Sequence, residues 1–175
     1  MVACGGQRLE RLRWGETKVV SSEMIIERTP SDRWDPRCVG MHRFWSDLRL
    51  EGRSPPRSAF DPLDWPDLLP NIWMLDVVRD PFRLRFRLVG SVVVEQIKLN
   101  PTGRWLDEAM PHLNGSNEFM DRYRDAAETG EPSWKIGPPV LRRSNPIRAV
   151  ENLILPMAGK SVEVEFLLML SIFHR

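Results

Sequence analysis

The chain has 175 residues, 42% hydrophobic and 28% charged, which is enough apolar material for one packed core and too much for a disordered chain. Its 25 Lys and Arg against 24 Asp and Glu leave a net charge of +1, which removes the general electrostatic ground for binding nucleic acid or an anionic membrane. Two cysteines, Cys4 and Cys38, exclude a disulfide framework, and no apolar run is long enough for a secretory signal or a membrane span, so a cytoplasmic protein is expected.

In chain order, residues 1–34 show no sustained period and read as a flexible N-terminal extension, which places the domain at 35–175. Asp35-Pro36 then opens a helix whose stripe is Cys38, Met41, Phe44, Trp45 and Leu48, with Gly52 as its stop. Asp61-Pro62 opens a short second helix carrying Leu63, Trp65, Leu68 and Leu69 before Pro70. Asn71 to Gly90 reads as a hairpin around the turn Arg79-Asp80-Pro81-Phe82. Its second arm alternates Leu84, Phe86 and Leu88 with Arg83, Arg85 and Arg87, giving one apolar and one wet face. Its first arm is apolar on both parities and demands cover on both sides.

Beyond Gly90, a short helix is predicted over Ser91 to Leu99, a turn at Asn100-Pro101-Thr102-Gly103, and a helical turn holding Trp105, Leu106, Ala109 and Met110. Ser116 is the predicted N-cap of a helix with Phe119, Met120, Tyr123 and Ala127 that stops at Gly130. Strands follow at Ser133 to Val140, Ile147 to Met157 and Ser161 to Phe173, the last pair joined at Gly159-Lys160. The last strand is apolar on both parities through Phe166 to Leu170, so it belongs in the middle of its sheet beside the first. The Arg-bearing strand and the Ser133 to Val140 strand are left as the edges.

This element order resembles a PAS domain, and several blocks are similar to one bacterial PAS-like family of small single-domain proteins. They are Phe44-Trp45 with Leu48-Arg49, Pro55-Pro56-Arg57, Phe60-Asp61-Pro62, Leu69 to Asp76, Arg85 to Gly90, Thr102-Gly103 and Glu151 to Met157. Ser91 and Asn152 depart from it, where the family more often has threonine and arginine. The resemblance implies an α+β fold with a five-stranded antiparallel sheet in the order 2-1-5-4-3. It places helices over one face and the leading helix on the other face or at a homodimer interface. It also implies a non-enzymatic sensory or regulatory domain that binds a small ligand or a signalling protein. Flavin photosensors of that superfamily need a thiol between the second and third strands, and Ser91 to Gly130 contains none.

The expected ligand site joins the apolar side of the second strand, Leu84, Phe86 and Leu88, to Trp105, Phe119 and Tyr123 from the helices. An ordinary filled core is the competing reading of the same six residues. The histidines His42, His112 and His174 lack metal-ligand spacing, so no metal site is assigned, and no cofactor is identified. His112 beside Pro111 and Asn114-Gly115 reads as a surface residue rather than a haem ligand. The arginine row reads as a solvated face or as partners for carboxylates such as Glu163 and Glu165, not as a nucleic-acid track. A small enzyme using the sheet–helix pocket, and a protein-interaction module without ligand, are the alternatives.

Overall fold

The hairpin predicted from Asn71 to Gly90 forms, and its two arms take opposite positions in one sheet. Residues 24–111, 117–139 and 147–175 are described by a computed structural model. Their elements are β1 (Ile25–Glu27), α1 (Pro36–Asp47), β2 (Ile72–Val78), β3 (Arg83–Val89), α2 (Ser91–Ile97), α3 (Leu106–Ala109), α4 (Asn117–Thr129), β4 (Ser133–Gly137), β5 (Ala149–Ala158) and β6 (Val164–His174). The predicted N-cap Ser116, the residue His112 and the loop from Arg142 to Pro146 lie outside the described residues.

The fold is α+β, with one antiparallel sheet in the order β1-β4-β5-β6-β2-β3. The expected five strands are therefore corrected to six. The five predicted strands keep their expected neighbours, and β1 adds to the edge by pairing Ile25, Ile26 and Glu27 with Ile136, Lys135 and Trp134. So β4 is not an edge, and the folded chain begins well before Asp35. Glu27 ties the entry down by accepting from Ser31 Oγ and from Trp34 Nε1.

Helix α1 starts as predicted, with the Asp35 carboxylate accepting from Arg37 N–H at 2.9 Å. It stops at Asp47 instead of running to Gly52, because Glu51 and Gly52 both take positive φ in a turn closed by Arg53 N–H on Leu50 O. The helix expected after Asp61 is replaced by separate 3-10 turns at Pro62–Asp64 and Leu69–Asn71. Pro66 has no N–H to continue the ladder between them.

Two cores result, one on each side of the sheet. On the α1 side, Cys38, Met41 and Trp45 pack with Phe60, Ile72, Met74, Trp134, Leu153, Leu168 and Leu170. On the α4 side, Tyr123, Ala126 and Ala127 pack with Trp73, Leu75, Leu84, Phe86, Leu167 and Met169. Strand parity assigns the buried apolar residues of β2 and β6 alternately to these two cores, as expected for doubly covered strands. Of the α1 stripe, Cys38, Met41 and Trp45 are buried against its own sheet, while Phe44 and Leu48 stay partly exposed.

A chain beginning at Asp35 loses β1 and the buried Trp34 ring, which stacks on Trp134 with centroids 5.2 Å apart. Removing a buried tryptophan side chain costs about 3–5 kcal/mol. Its melting temperature is expected well below that of the full chain, and equal values would place the domain boundary at Asp35. Gly90 admits no side chain, because a Cβ there would collide with the carbonyl oxygens of Leu69 and Pro70. Gly90→Ala is expected to cost about 1–3 kcal/mol in denaturant titrations, the range for overpacking. Gly40→Ala, in open space on α1, is expected to stabilise instead.

Candidate functional site

Helix α4 meets the sheet through Phe119, Arg122, Tyr123, Ala126 and Ala127, the i, i+3, i+4, i+7, i+8 stripe of a helix buried on one side. The two alanines allow close approach. Gly130 closes the helix with φ 68° and its N–H on Ala126 O. Within this stripe Arg122 is a buried cation, only 8% exposed.

Its guanidinium is held entirely by neutral acceptors. Nε donates to Ser133 Oγ at 2.7 Å, Nη1 to Asn152 Oδ1 at 2.7 Å, and Nη2 to the backbone oxygens of Ser133 and Asn152 at 2.6 Å each. Burial lowers the Arg122 pKa to about 10. The network continues as Asn152 Nδ2 donates to Ser171 Oγ, which also accepts from Trp73 Nε1 at 2.9 Å, while Asn71 Nδ2 donates to Ser171 O.

Trp73 links this polar floor to an aromatic wall. Its ring stacks near Phe86, with centroids 5.9 Å apart, and meets Tyr123 edge-on at 6.4 Å; Phe119 meets Tyr123 edge-on at 4.6 Å. The Tyr123 hydroxyl is buried without a hydrogen-bond partner among the described residues, and burial raises its pKa.

The structure thus brings together four of the six residues read from the sequence: Leu84, Phe86 and Tyr123 in one cluster, with Phe119 packed against it. Leu88 is corrected to the opposite face, where it packs on the α1 core. A bulge between Met74 and Leu75 puts Leu88 opposite Met74 and Phe86 opposite Leu75, so parity changes along β3. Trp105 also lies apart, because residues 103–105 clasp the open edge of β3. Phe86 N–H donates to Arg104 O, Gly103 N–H donates to Phe86 O, and Arg83 covers the Trp105 ring at 4.2 Å. Sequence reading missed Arg122, Ser133, Asn152 and Ser171. The available signal was a cation at the i+3 position of an apolar helix stripe, with polar residues inside two apolar strands.

The other face holds its own polar group. Glu151, 1% exposed, accepts from Asp35 N–H at 2.8 Å and Trp134 Nε1 at 3.0 Å, and its Oε1 lies 2.9 Å from His174 Nε2. Asp35, Glu151 and His174 offer ligand atoms within 4.8 Å of one another. Arg37 occupies both Asp35 oxygens and two N–H groups occupy Glu151 Oε2, so this cluster serves to dock the start of α1 on the sheet. Nearby Cys38 is buried, which raises its pKa and keeps it a thiol.

The arginine row is neutralised, though by partners other than Glu163 and Glu165. Arg85 and Arg87 pair with the buried Asp76, and Arg83 with Asp107 and Glu108. Among the described residues no helix is long and apolar enough to cross a membrane.

No family model matches the chain, and no curated protein matches it. A solved structure of an RNA-binding light-oxygen-voltage receptor is similar with a TM-score of 0.48 and 10% sequence identity. The likeness covers 87% of this chain and 39% of the receptor.

Hydrogen bonding from Arg83 holds the Asp107 carboxyl below its ordinary pKa, and Arg49 does the same for Glu131. A depressed carboxyl pKa contributes stability that is complete above the unfolded value and is lost as pH falls through the folded one. Asp107→Asn and Glu131→Gln are each expected to flatten the loss of melting temperature below about pH 4. The change is small because both groups are solvent-screened. An unaltered acid limb in both variants would contradict these pairings.

Proposed function

We propose that the chain is a non-enzymatic, PAS-like sensory or regulatory domain that holds a small ligand between α4 and the sheet and passes its presence to a signalling partner. The observation that carries this reading is the Tyr123 hydroxyl, fully buried beside Trp73 and Phe119 with no partner. Buried polar groups are nearly always satisfied, so an orphan in an aromatic wall calls for a molecule to complete it. The polar floor of Arg122, Asn152 and Ser171 adds the few convergent polar groups that fix a ligand's orientation.

A molecule seated there touches α4 on one side and β4 to β6 on the other. Its occupancy therefore changes the packing of the helix on the sheet, which is a difference a partner can read. The enzymatic alternative has less support, because the thiol of Cys38 is kept protonated by burial and lies in the α1 core. A homodimer through α1 is not part of the proposal, since Cys38, Met41 and Trp45 of that helix are spent on its own sheet.

The test is to denature natively purified full chain, identify released small molecules by mass spectrometry, and compare two substitutions in β3. Phe86 lines the aromatic wall, whereas Arg85 faces Asp76 on the other side of the sheet. Phe86→Ala is expected to reduce ligand retention strongly and Arg85→Ala to leave it unchanged. Equal effects in two folded variants, or no small molecule released from any preparation, would overturn the proposal.

A further inference from the structure

Arg122 is the buried arginine among the described residues, and like the more exposed Arg57 and Arg79 it is bonded by neutral acceptors alone. Arg28, Arg33, Arg37, Arg49, Arg83, Arg85 and Arg87 each meet a carboxylate, although all are more exposed than Arg122. The most deeply buried of these cations has no carboxylate partner among the described residues, only Ser133 and Asn152 as neutral acceptors. Its four hydrogen bonds commit Nε, both Nη2 hydrogens and one Nη1 hydrogen, which leaves the second Nη1 hydrogen open among the described residues. Carrying an uncompensated charge in a low-dielectric interior is costly, and an anion brought to it recovers that cost.

The neighbouring residue adds an independent orphan. Tyr123 presents a buried hydroxyl with no partner, and its ring is joined through Trp73 to the same Ser171 and Asn152 that border Arg122. The open Nη1 hydrogen and the Tyr123 O–H can both donate. Their shared complement is an acceptor with negative charge, and a carboxylate supplies two oxygens for two donors. The side chains packed with Tyr123 are apolar and aromatic: Trp73, Phe86, Phe119 and Leu84. A compact, heavily hydrated dianion would be stripped of water by such walls without enough donors to replace it.

We propose that the ligand of this site is a small monocarboxylic acid with an apolar or aromatic body, its carboxylate set against Arg122 and the Tyr123 hydroxyl. This rests on the ligand-binding reading above and adds the chemical class. Asn152 and Ser133 are positioning residues, because they hold the guanidinium through four of its five N–H groups.

The experiment is calorimetry and thermal shift on the full chain with two matched probe pairs, octanoate against octanamide and 4-phenylbutyrate against 4-phenylbutanamide. Each pair differs only in charge at one end. The acids are expected to raise the melting temperature and to bind at least about tenfold more tightly than the amides. Substitution of Arg122 risks unfolding the chain, so Tyr123→Phe is the informative variant: it keeps the ring and removes the orphan hydroxyl. Tyr123→Phe is expected to be as stable as the parent or more so without probe, and to bind the acids about tenfold more weakly. Equal binding of acid and amide, or unchanged acid binding in Tyr123→Phe, overturns the carboxylate assignment while leaving a ligand site in place. Failure of all four probes, with no small molecule released from native protein, removes the ligand reading itself and this inference with it.

Discussion

The centre of the sheet imposes the main constraint on this molecule. Strands β2 and β6 lie side by side, and both are apolar on both faces over most of their length. Such a pair cannot sit at a solvent boundary, because either face would expose a row of large side chains. Two helical layers are therefore required, and the chain supplies them from different places: α1 and the turns before β2 on one side, α2 to α4 from the crossover on the other. Most of the remaining structure, including the tight approach at Gly90, serves to bring these layers onto the pair.

Double cover has a corollary for polar residues. Any polar side chain in the central strands must find its partner inside the protein. Asp76 does so with Arg85 and Arg87 from the neighbouring strand. Glu151 does so with the start of α1, Trp134 and His174. Asn152 and Ser171 do so with Arg122 and Trp73. The two faces differ in the balance of charge: the buried anion of the α1 face meets N–H donors and a histidine, whereas the buried cation of the α4 face meets only neutral oxygens. The unpartnered Tyr123 hydroxyl lies on that same face. This asymmetry is why the functional reading attaches to the α4 side and the docking role to the other.

The row of arginines on β3 shows how tertiary contacts redefine a surface pattern. In sequence it is a line of cations on a wet strand face. In the fold, Asp76 reaches two of them from the adjacent strand, and the segment bearing Trp105, Asp107 and Glu108 folds over the third. The row then holds an otherwise open sheet edge closed, a structural use of charge that net composition does not reveal.

Periodicity and cap chemistry, both local, determined much of this protein from the sequence alone. Alternation in β3, double-sided apolarity in β2 and β6, and the Asp35-Pro36 helix start each depend only on residues close in the chain, and each is realised near the predicted position. The placement of Leu84, Phe86, Phe119 and Tyr123 in one core followed from that parity. Tertiary structure alone decided the rest. A single bulged residue reversed the side taken by Leu88, since side-chain direction in a strand has a period of two and one extra residue inverts it. The pairing of β1 with β4 depended on a partner strand far away in the chain, which three residues of weak pattern cannot announce. The setting of Arg122 needed more than its place on the apolar stripe: an arginine in an amphipathic helix looks like a solvated residue until Ser133 and Asn152 are brought against it, because burial is a property of the assembled layers and not of the segment.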